Sequence, residues 1–484
     1  MAPEANEAPS ANITGARGGS DGPGAPHREK VYDRAGVSWA LFEAARNPYV
    51  ILVSIYIFAP YFAQEIAGGG PQGQALVASI HKVAGVIVAC TAPLLGAAAD
   101  KAGHRKPYLA AAVCLMAPIV FSLWWVRPDE GLPLAWAYAL MVAAAVAFNY
   151  TEVLHNSMLP LAAKPRALPH ISGLGLASGN AAAVLALVFV FVFLALPGYV
   201  DWSFVPKEPV FGLSREAFEP SRIVAPIAAV MLIVFAIPLF LFVPDAPATG
   251  VSWPRAFQEG VASVWATIRS LRAHKNLALF LAARMLFADG KGGIVVFGGV
   301  FAAGVMGWGL LDMAAYGIWL SLWAVLGGFL GGWLDHWLGA KRAIILELLF
   351  IIASLIALVS VSPTGAFWLL SFPPGAPSAW QAPLFETWPD LIFLAVAAFA
   401  AVAITAAYAS ARTMITQLAP AQMAGQIFGL YALSGTATFW LAPWLVEGFT
   451  RAYDSQAIGL ASILILLVSG LGLLLFVKAP QRQA

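Results

Sequence analysis

Charge is what this sequence has least of. Only 11% of its 484 residues are charged, against about a quarter in an average soluble domain. Hydrophobic residues make up 60% of the chain, and the mean hydropathy is +0.78. An ordinary soluble globule is excluded. The formal net charge is only +2, so the charge balance gives a nucleic-acid role no support and nucleic acid is not an expected partner. There are two cysteines, Cys90 and Cys114, both inside apolar runs. They read as buried packing residues, and neither a disulfide framework nor a metal or cofactor is expected. No Gly-x-x-x-x-Gly-Lys-Ser/Thr phosphate loop occurs, which argues against ATP-driven work within this chain. Residues 1–36 lack the apolar core of a signal peptide and are rich in Ala, Pro, Gly and Ser. They read as a disordered cytoplasmic tail.

What is present is long uncharged apolar runs. Backbone in lipid must satisfy its own hydrogen bonds, so such runs mean helices or a closed barrel. Barrel strands would alternate apolar and polar residues, and these runs do not. They predict an all-α integral membrane protein with two halves of six helices. The first half, residues 37–244, has spans near Ser38–Phe62, Leu76–Ala99, Tyr108–Val126, Pro133–Val153, Gly173–Leu196 and Ile223–Val243. A polar central cytoplasmic loop follows at 245–276. The second half, 277–478, has spans near Leu277–Gly304, Met313–Leu334, Ala343–Val361, Leu391–Ser410, Gln426–Val446 and Ile458–Val477, before a short tail at 479–484. Lys and Arg gather in alternate connections, among them Lys101, Arg105, Lys106, Lys164, Arg166, Lys341 and Arg342. The other set holds only Arg127, Lys207, Arg215, Arg222 and Arg451. The positive-inside rule then places both termini in the cytoplasm. The outer connection Ser362 to Asp390, rich in Pro, Trp and Phe, is expected at the membrane interface.

After the second run comes Gly96-Ala-Ala-Ala-Asp100-Lys101-Ala-Gly103-His104-Arg105-Lys106. After the eighth the pattern returns, with one extra residue, as Gly331-Gly-Trp-Leu-Asp335-His-Trp-Leu-Gly339-Ala-Lys341-Arg342. A Gly-rich helix end allows close packing. An aspartate there can face the positive N-terminus of a neighbouring helix. The pattern resembles the loop signature of the major facilitator superfamily, which implies a twelve-helix major facilitator fold. It also implies that Asp100 faces helix 11 near Gln426 and Asp335 faces helix 5 near Gly173, contacts that close the cytoplasmic side and break as it opens.

A finer resemblance covers most of the chain. It rests on Trp39-Ala-Leu-Phe-Glu43-Ala-Ala-Arg46-Asn47-Pro48-Tyr49, Asn156-Ser-Met-Leu-Pro160 with Ser172-Gly-Leu-Gly175, Arg284-Met-Leu-Phe-Ala-Asp289-Gly290, and Phe428-Gly-Leu-Tyr431-Ala-Leu-Ser434-Gly435. Together these resemble the vacuole-effluxer-like branch, whose fungal member exports amino acids from the vacuole. Arg46, where that branch usually has a small amide, and Lys291 depart from its pattern.

Ionisable groups inside spans cost about 2.5–3.5 kcal/mol each at a helix centre and mark function. Here they gather in helices 1, 4 and 7, which the resemblance implies line a central cavity with helix 10. Glu43 and Arg46 share one face of helix 1, beside Asn47. Asn149, Glu152 and His155 form a polar stripe on helix 4, where Glu152 and His155 could carry a proton. On helix 7, Arg284 precedes Asp289-Gly290-Lys291-Gly292-Gly293. Three glycines in four residues favour a bend or break there. Asp289 and Lys291 cannot pair with each other on a regular helix. Each of these groups could instead be a buried structural pair. Lys82 in helix 2 is read as snorkelling to the surface. Gly175-x-x-x-Gly179, Gly327-x-x-x-Gly331 and Gly425-x-x-x-Gly429 are read as packing seams.

The expected function is secondary active transport of a small polar solute, best amino acids or similar, by alternating access, with export and proton coupling both open. A transporter-like receptor or an intramembrane lipid-modifying enzyme are the alternatives, and the enzyme has only His155 and Glu152 to work with. The expected setting is the lipid bilayer of a bacterial inner membrane, with the protein monomeric and not an enzyme.

Overall fold

The computed structural model describes residues 32–128, 131–247, 249–251, 253–373, 377–418, 431 and 434–479. Among them are 11 helices long and apolar enough to cross a membrane. In order they are Arg34–Ile66, Gly70–Ala99, Lys106–Trp125, Leu134–Ala162, His170–Ala195, Glu219–Phe242, Lys275–Met306, Leu310–Leu338, Ala340–Val359 and Trp388–Leu418, the first to tenth spans, and Gln456–Phe476, the twelfth. A third of the span expected at Gln426–Val446, residues 426–430, 432 and 433, lies outside the described residues. Its described part includes the helix Leu441–Tyr453, here the eleventh span. The described strands are two dipeptides, Gly365–Ala366 paired with Leu370–Ser371 in the connection after the ninth span. Trp368, Leu369 and Trp380 in that connection are exposed.

Several expectations are corrected. The connection at 245–276 is not simply a loop, for it contains the helix Trp253–Ser270. The first span begins at Arg34, inside the expected tail, because Asp33 caps it by accepting from the Gly36 amide at 2.7 Å. Cys90 and Cys114 are exposed and not buried packing residues. The seventh span is one continuous helix from Lys275 to Met306, with no bend at its glycines. Those glycines admit neighbours: a Cβ on Gly290 would lie 3.0 Å from Leu467, and one on Gly293 would lie 2.8 Å from Ala442. Irregular backbone occurs elsewhere. The first span widens into π-helical turns at Tyr49–Tyr56 and Phe62–Ile66, after Pro48 and Pro60, since proline removes a ladder donor. The eleventh is interrupted by turns at 437–440.

The packing repeats with an offset of six spans. In the first half the first span packs on the sixth, the second on the fourth, and the third on the fourth and sixth. In the second half the seventh packs on the twelfth, the eighth on the tenth, and the ninth on the tenth and twelfth. Side chains repeat as well. Lys106 Nζ donates to the Phe240 carbonyl in the last turn of the sixth span, and Lys341 Nζ to the Leu475 carbonyl in the last turn of the twelfth, both at 2.9 Å. Each cation meets the negative end of a helix.

The halves meet through the second span on the eleventh and the fifth on the eighth. Polar and close contacts between halves lie toward the face opposite the two signature loops. There a Cβ on Gly299 would collide with the Ile55 carbonyl, and Tyr56 meets Tyr316 edge-on at 5.8 Å. Gln74 Nε2 donates to Thr450 Oγ1 at 2.9 Å and to the Gln456 carbonyl at 3.0 Å. Lys82 does not snorkel: its Nζ lies 2.5 Å from Glu447 Oε2, across the interface.

The small-residue seams work within each half. Gly175 and Gly179 face Trp39, Glu43 and Asn47 of the first span, whereas Gly327 and Gly331 face the backbone of the tenth at Val402 and Ala406. Gly425-x-x-x-Gly429 lies outside the described residues. A Cβ at Gly327 would strike the Val402 carbonyl, whereas nothing lies within 4 Å of one at Gly332. Gly327→Val is therefore expected to destabilise the fold by about 3 kcal/mol or more, and Gly332→Ala to be neutral. Melting of the detergent-solubilised variants, followed by size-exclusion chromatography, checks this.

Candidate functional site

The first and fourth spans share a buried polar cluster. Arg46, only 6% exposed, donates from Nε to Glu43 Oε2 at 3.0 Å and from Nη1 to Glu152 Oε2 at 3.4 Å. Its guanidinium carbon sits 4.8 Å over the Phe148 ring. Asn47 Nδ2 reaches the same Glu43 oxygen at 3.3 Å. The other Glu43 oxygen lies 3.3 Å from His155 Nδ1. His155 is fully buried, stacked on Trp39 at 4.2 Å between ring centroids. Its Nε2 lies 2.9 Å from the Trp39 carbonyl, an acceptor, so that nitrogen carries a proton. Trp39 Nε1 in turn donates to the His155 carbonyl at 2.9 Å. Glu152 is different in exposure, with 43% of its side chain accessible. Asn149 stays apart, donating to the Ala145 carbonyl of its own helix at 2.8 Å.

In the second half the seventh span fastens the interrupted eleventh. Arg284 Nη1 donates to the Tyr431 carbonyl at 2.8 Å and to Ser434 Oγ at 2.5 Å, and its guanidinium carbon lies 3.4 Å over the Tyr431 ring. Thr438 Oγ1 donates to the Met285 carbonyl at 3.0 Å. Asp289 Oδ2 accepts from the Ala442 amide at 2.8 Å. A helix that starts in mid-bundle leaves orphan amides, and a carboxylate from another span serves as its cap. Lys291 has no such partner. It is fully buried, its ammonium makes no hydrogen bond, and Nζ lies 3.8 Å over the Tyr408 ring of the tenth span.

Two groups were missed in the sequence. Glu347 of the ninth span is 3% exposed; its Oε1 accepts from Ser410 Oγ at 2.9 Å and its Oε2 has no hydrogen-bond partner. A lone carboxylate in an apolar run was the available signal. Tyr408 is 41% exposed, and its hydroxyl lies within electrostatic reach of Arg284, Asp289 and, from the other half, Glu152. Tyrosine in a span carries no formal charge, so no sequence signal marked it. Tyr408 thus lies within electrostatic reach of charged groups from both halves.

The first signature loop is tied down locally. Asp245 accepts from the Arg105 amide at 2.9 Å and the Lys106 amide at 3.3 Å. Arg105 Nη1 donates to the Ser157 carbonyl at 2.8 Å, and the Lys101 carbonyl accepts from Thr249 Oγ1 at 2.6 Å. Gly96 lies against Val153, and Gly103, at φ +89°, meets the Pro247 carbonyl. The Asp100 side chain and the Gln426 region expected to face it lie outside the described residues. In the second loop Gly339, at φ +83°, turns the chain between spans, and Arg342 is exposed. Both Asp335 carboxylate oxygens are buried without a hydrogen-bond partner. The expected contact with the start of the fifth span is not made, and nothing lies within 4 Å of a Cβ on Gly173.

Residues 166–483 match the family model described as "Vacuole effluxer Atg22 like". The chain belongs to this family. Its fold is that of major facilitator transporters. The chain is similar to a D-xylose-proton symporter (TM-score 0.63, 11% identity, covering 93% of this chain and 97% of that one). It is similar also to the xylose transporter XylE from E. coli in an inward open conformation (0.58, 13%, 93% and 96%). A third is a bacterial homolog of the human lysosomal transporter Spinster, inward-facing and occupied (0.56, 16%, 94% and 97%). No protein in the curated comparison set matches the sequence. Membership in this effluxer-like family makes the chain a membrane transporter and not an enzyme.

The Lys291 ammonium is fully buried without a hydrogen bond, and replacing a buried ionic group with an apolar residue of similar volume is commonly neutral or favourable. Lys291→Met is therefore expected to leave the melting temperature unchanged or raised while transport falls at least about tenfold. A lower melting temperature with normal flux would assign Lys291 to packing.

Proposed function

We propose that this protein is a secondary transporter that carries an amino acid or a similar small polar solute by alternating access. The observation that carries the reading is the half-exposed Glu152 carboxylate. It is anchored from behind by buried Arg46 and lies within electrostatic reach of Tyr408 in the other half, as do Arg284 and Asp289. Opposite charges set across one space suit a zwitterion: Glu152 offers a carboxylate to a solute ammonium, and the cationic groups of the seventh span attract its carboxylate. Binding between the halves is what rocking them against each other requires.

The positive-inside arrangement places both termini and both signature loops in the cytoplasm. The closed face, with Lys82–Glu447 and Gln74–Thr450, is then the outer one. Unpaired Asp335 fits a cytoplasmic side that has released its closing contact. Closing that side would remake the aspartate-to-helix contacts and break the outer ones. Glu43 and His155 supply a proton site. His155 Nε2 already donates to Trp39, so the proton between Nδ1 and Glu43 Oε1 is the one free to leave. Arg46 contacts both Glu43 and Glu152, which links the loading of one to that of the other. The effluxer family favours export, and the composition favours a bacterial inner membrane, with the protein working as a monomer.

Liposomes preloaded with unlabelled amino acids are expected to accumulate labelled ones by counterflow through the wild-type protein. Glu152→Gln should reduce the rate at least about tenfold in protein that is still folded and monodisperse by size-exclusion chromatography. Glu43→Gln should keep counterflow, which needs no net proton movement, and lose accumulation driven by a pH gradient. Full counterflow by Glu152→Gln contradicts the site, and gradient-driven accumulation by Glu43→Gln contradicts the proton assignment.

A further inference from the structure

The helix Trp253–Ser270 between the halves has three distinct faces. One packs on the end of the second span. Ala256 is fully buried, and a Cβ on Gly260 would lie 3.0 Å from Ala97 Cβ and 3.1 Å from the Ala98 amide nitrogen. A second face is apolar and uncovered. Phe257, Val261, Trp265 and Ile268 are 44%, 41%, 66% and 41% exposed, and their spacing puts them in one stripe along the helix. The third face is polar, with Arg255, Gln258 and Arg269 exposed and Arg255 Nε donating to Glu259 Oε1 at 3.0 Å. Arg272 and Lys275, also exposed, extend the cationic edge to the start of the seventh span.

We propose that this helix lies in the headgroup layer of the bilayer, its apolar stripe in the acyl boundary and its arginines on anionic lipid phosphates. Three observations select this occupant. The helix is tethered at both ends, by the sixth span ending at Phe242 and the seventh starting at Lys275, so it cannot leave the membrane surface. Its uncovered stripe is flanked by charge of one sign: Arg255, Arg269, Arg272 and Lys275 stand against Glu259, the single carboxylate, which Arg255 already engages. A large moment with basic residues beside Trp and Phe is the pattern of an interfacial helix. Basic residues at a membrane surface draw anionic lipid over about a Debye length.

The position gives the lipid contact a consequence. The segment leading into the helix grips the first signature loop. Asp245 holds the Arg105 and Lys106 amides, Thr249 holds the Lys101 carbonyl at 2.6 Å and, through its amide, the Ala102 carbonyl at 3.3 Å, and the Pro247 carbonyl fills the space above Gly103. A helix pinned to the leaflet therefore fixes the loop that the gating reading needs to move, and the regulatory part of this inference rests on that reading. Anionic lipid is the regulator.

The lipid contact is tested without any substrate. In a full-length chain carrying Cys90→Ala and Cys114→Ala, a fluorophore is attached at Val261→Cys or, separately, at Gln258→Cys, and the protein is placed in phosphatidylcholine vesicles with about a third phosphatidylglycerol. Nitroxide-bearing lipid is expected to quench the label at position 261 about threefold more than that at 258, and aqueous iodide the reverse. Equal iodide quenching at the two positions overturns the placement. The wild-type melting temperature is expected to rise when phosphatidylglycerol is added to phosphatidylcholine vesicles, and the rise to vanish in the Arg269→Gln/Arg272→Gln double variant. An undiminished rise in that variant overturns the anionic contact, whatever the counterflow experiment shows.

Discussion

The arrangement of the first half turns on one buried guanidinium. A charge in the middle of a membrane bundle is tolerated only with partners, and Arg46 is met by Glu43 along its own helix, by Glu152 from the fourth span and by the face of Phe148. Each partner recruits another. Glu43 reaches His155, and His155 is gripped by Trp39 through both its ring and its backbone. The first and fourth spans are thereby fixed in register, and Glu152 is left with its carboxylate half in the open. The close approach of the fifth span at Gly175 and Gly179 lets the first span sit where this network needs it.

The second half solves the same problem with a different device. Its polar residues are spent on holding a broken helix: Arg284, the Met285 carbonyl and Asp289 each fasten a successive piece of the eleventh span. That leaves Lys291 and Glu347 buried with unpaired atoms on neighbouring spans. The halves match in packing order and in the lysines that close their sixth and twelfth spans, and they differ in how their buried charges are partnered.

Much of this was legible in the sequence because lipid imposes simple rules. Continuous apolar runs located the spans, most ends within about four residues. The second helix starts earlier, at Gly70, and the fourth and tenth run on to Ala162 and Leu418, well past the expected ends. Helical spacing put Glu43 with Arg46 and Glu152 with His155. Their pairing across two spans needed the fold. The glycines after Asp289 were misread because glycine has two uses, a flexible backbone and an absent side chain, and sequence alone does not separate them. Here the helix is unbroken and the glycines admit Leu467 and Ala442. Lys82 was misread because its partner, Glu447, lies in the other half of the chain. The helix Trp253–Ser270 was taken for loop because its arginines hid an apolar stripe of four residues at helical spacing.

The central claim is that the two halves rock about the space beside Glu152 and Tyr408, with the two faces opening in opposition. Pulsed electron paramagnetic resonance on the reconstituted protein tests it most directly. One spin-label pair at Arg166→Cys and Arg342→Cys reports the signature-loop face, and another at Gln72→Cys and Tyr453→Cys reports the opposite face; all four positions are exposed. Under turnover with a transported solute, the first distance should shorten while the second lengthens. Distances that do not respond, or that change in the same direction while flux continues, would contradict alternating access between these halves.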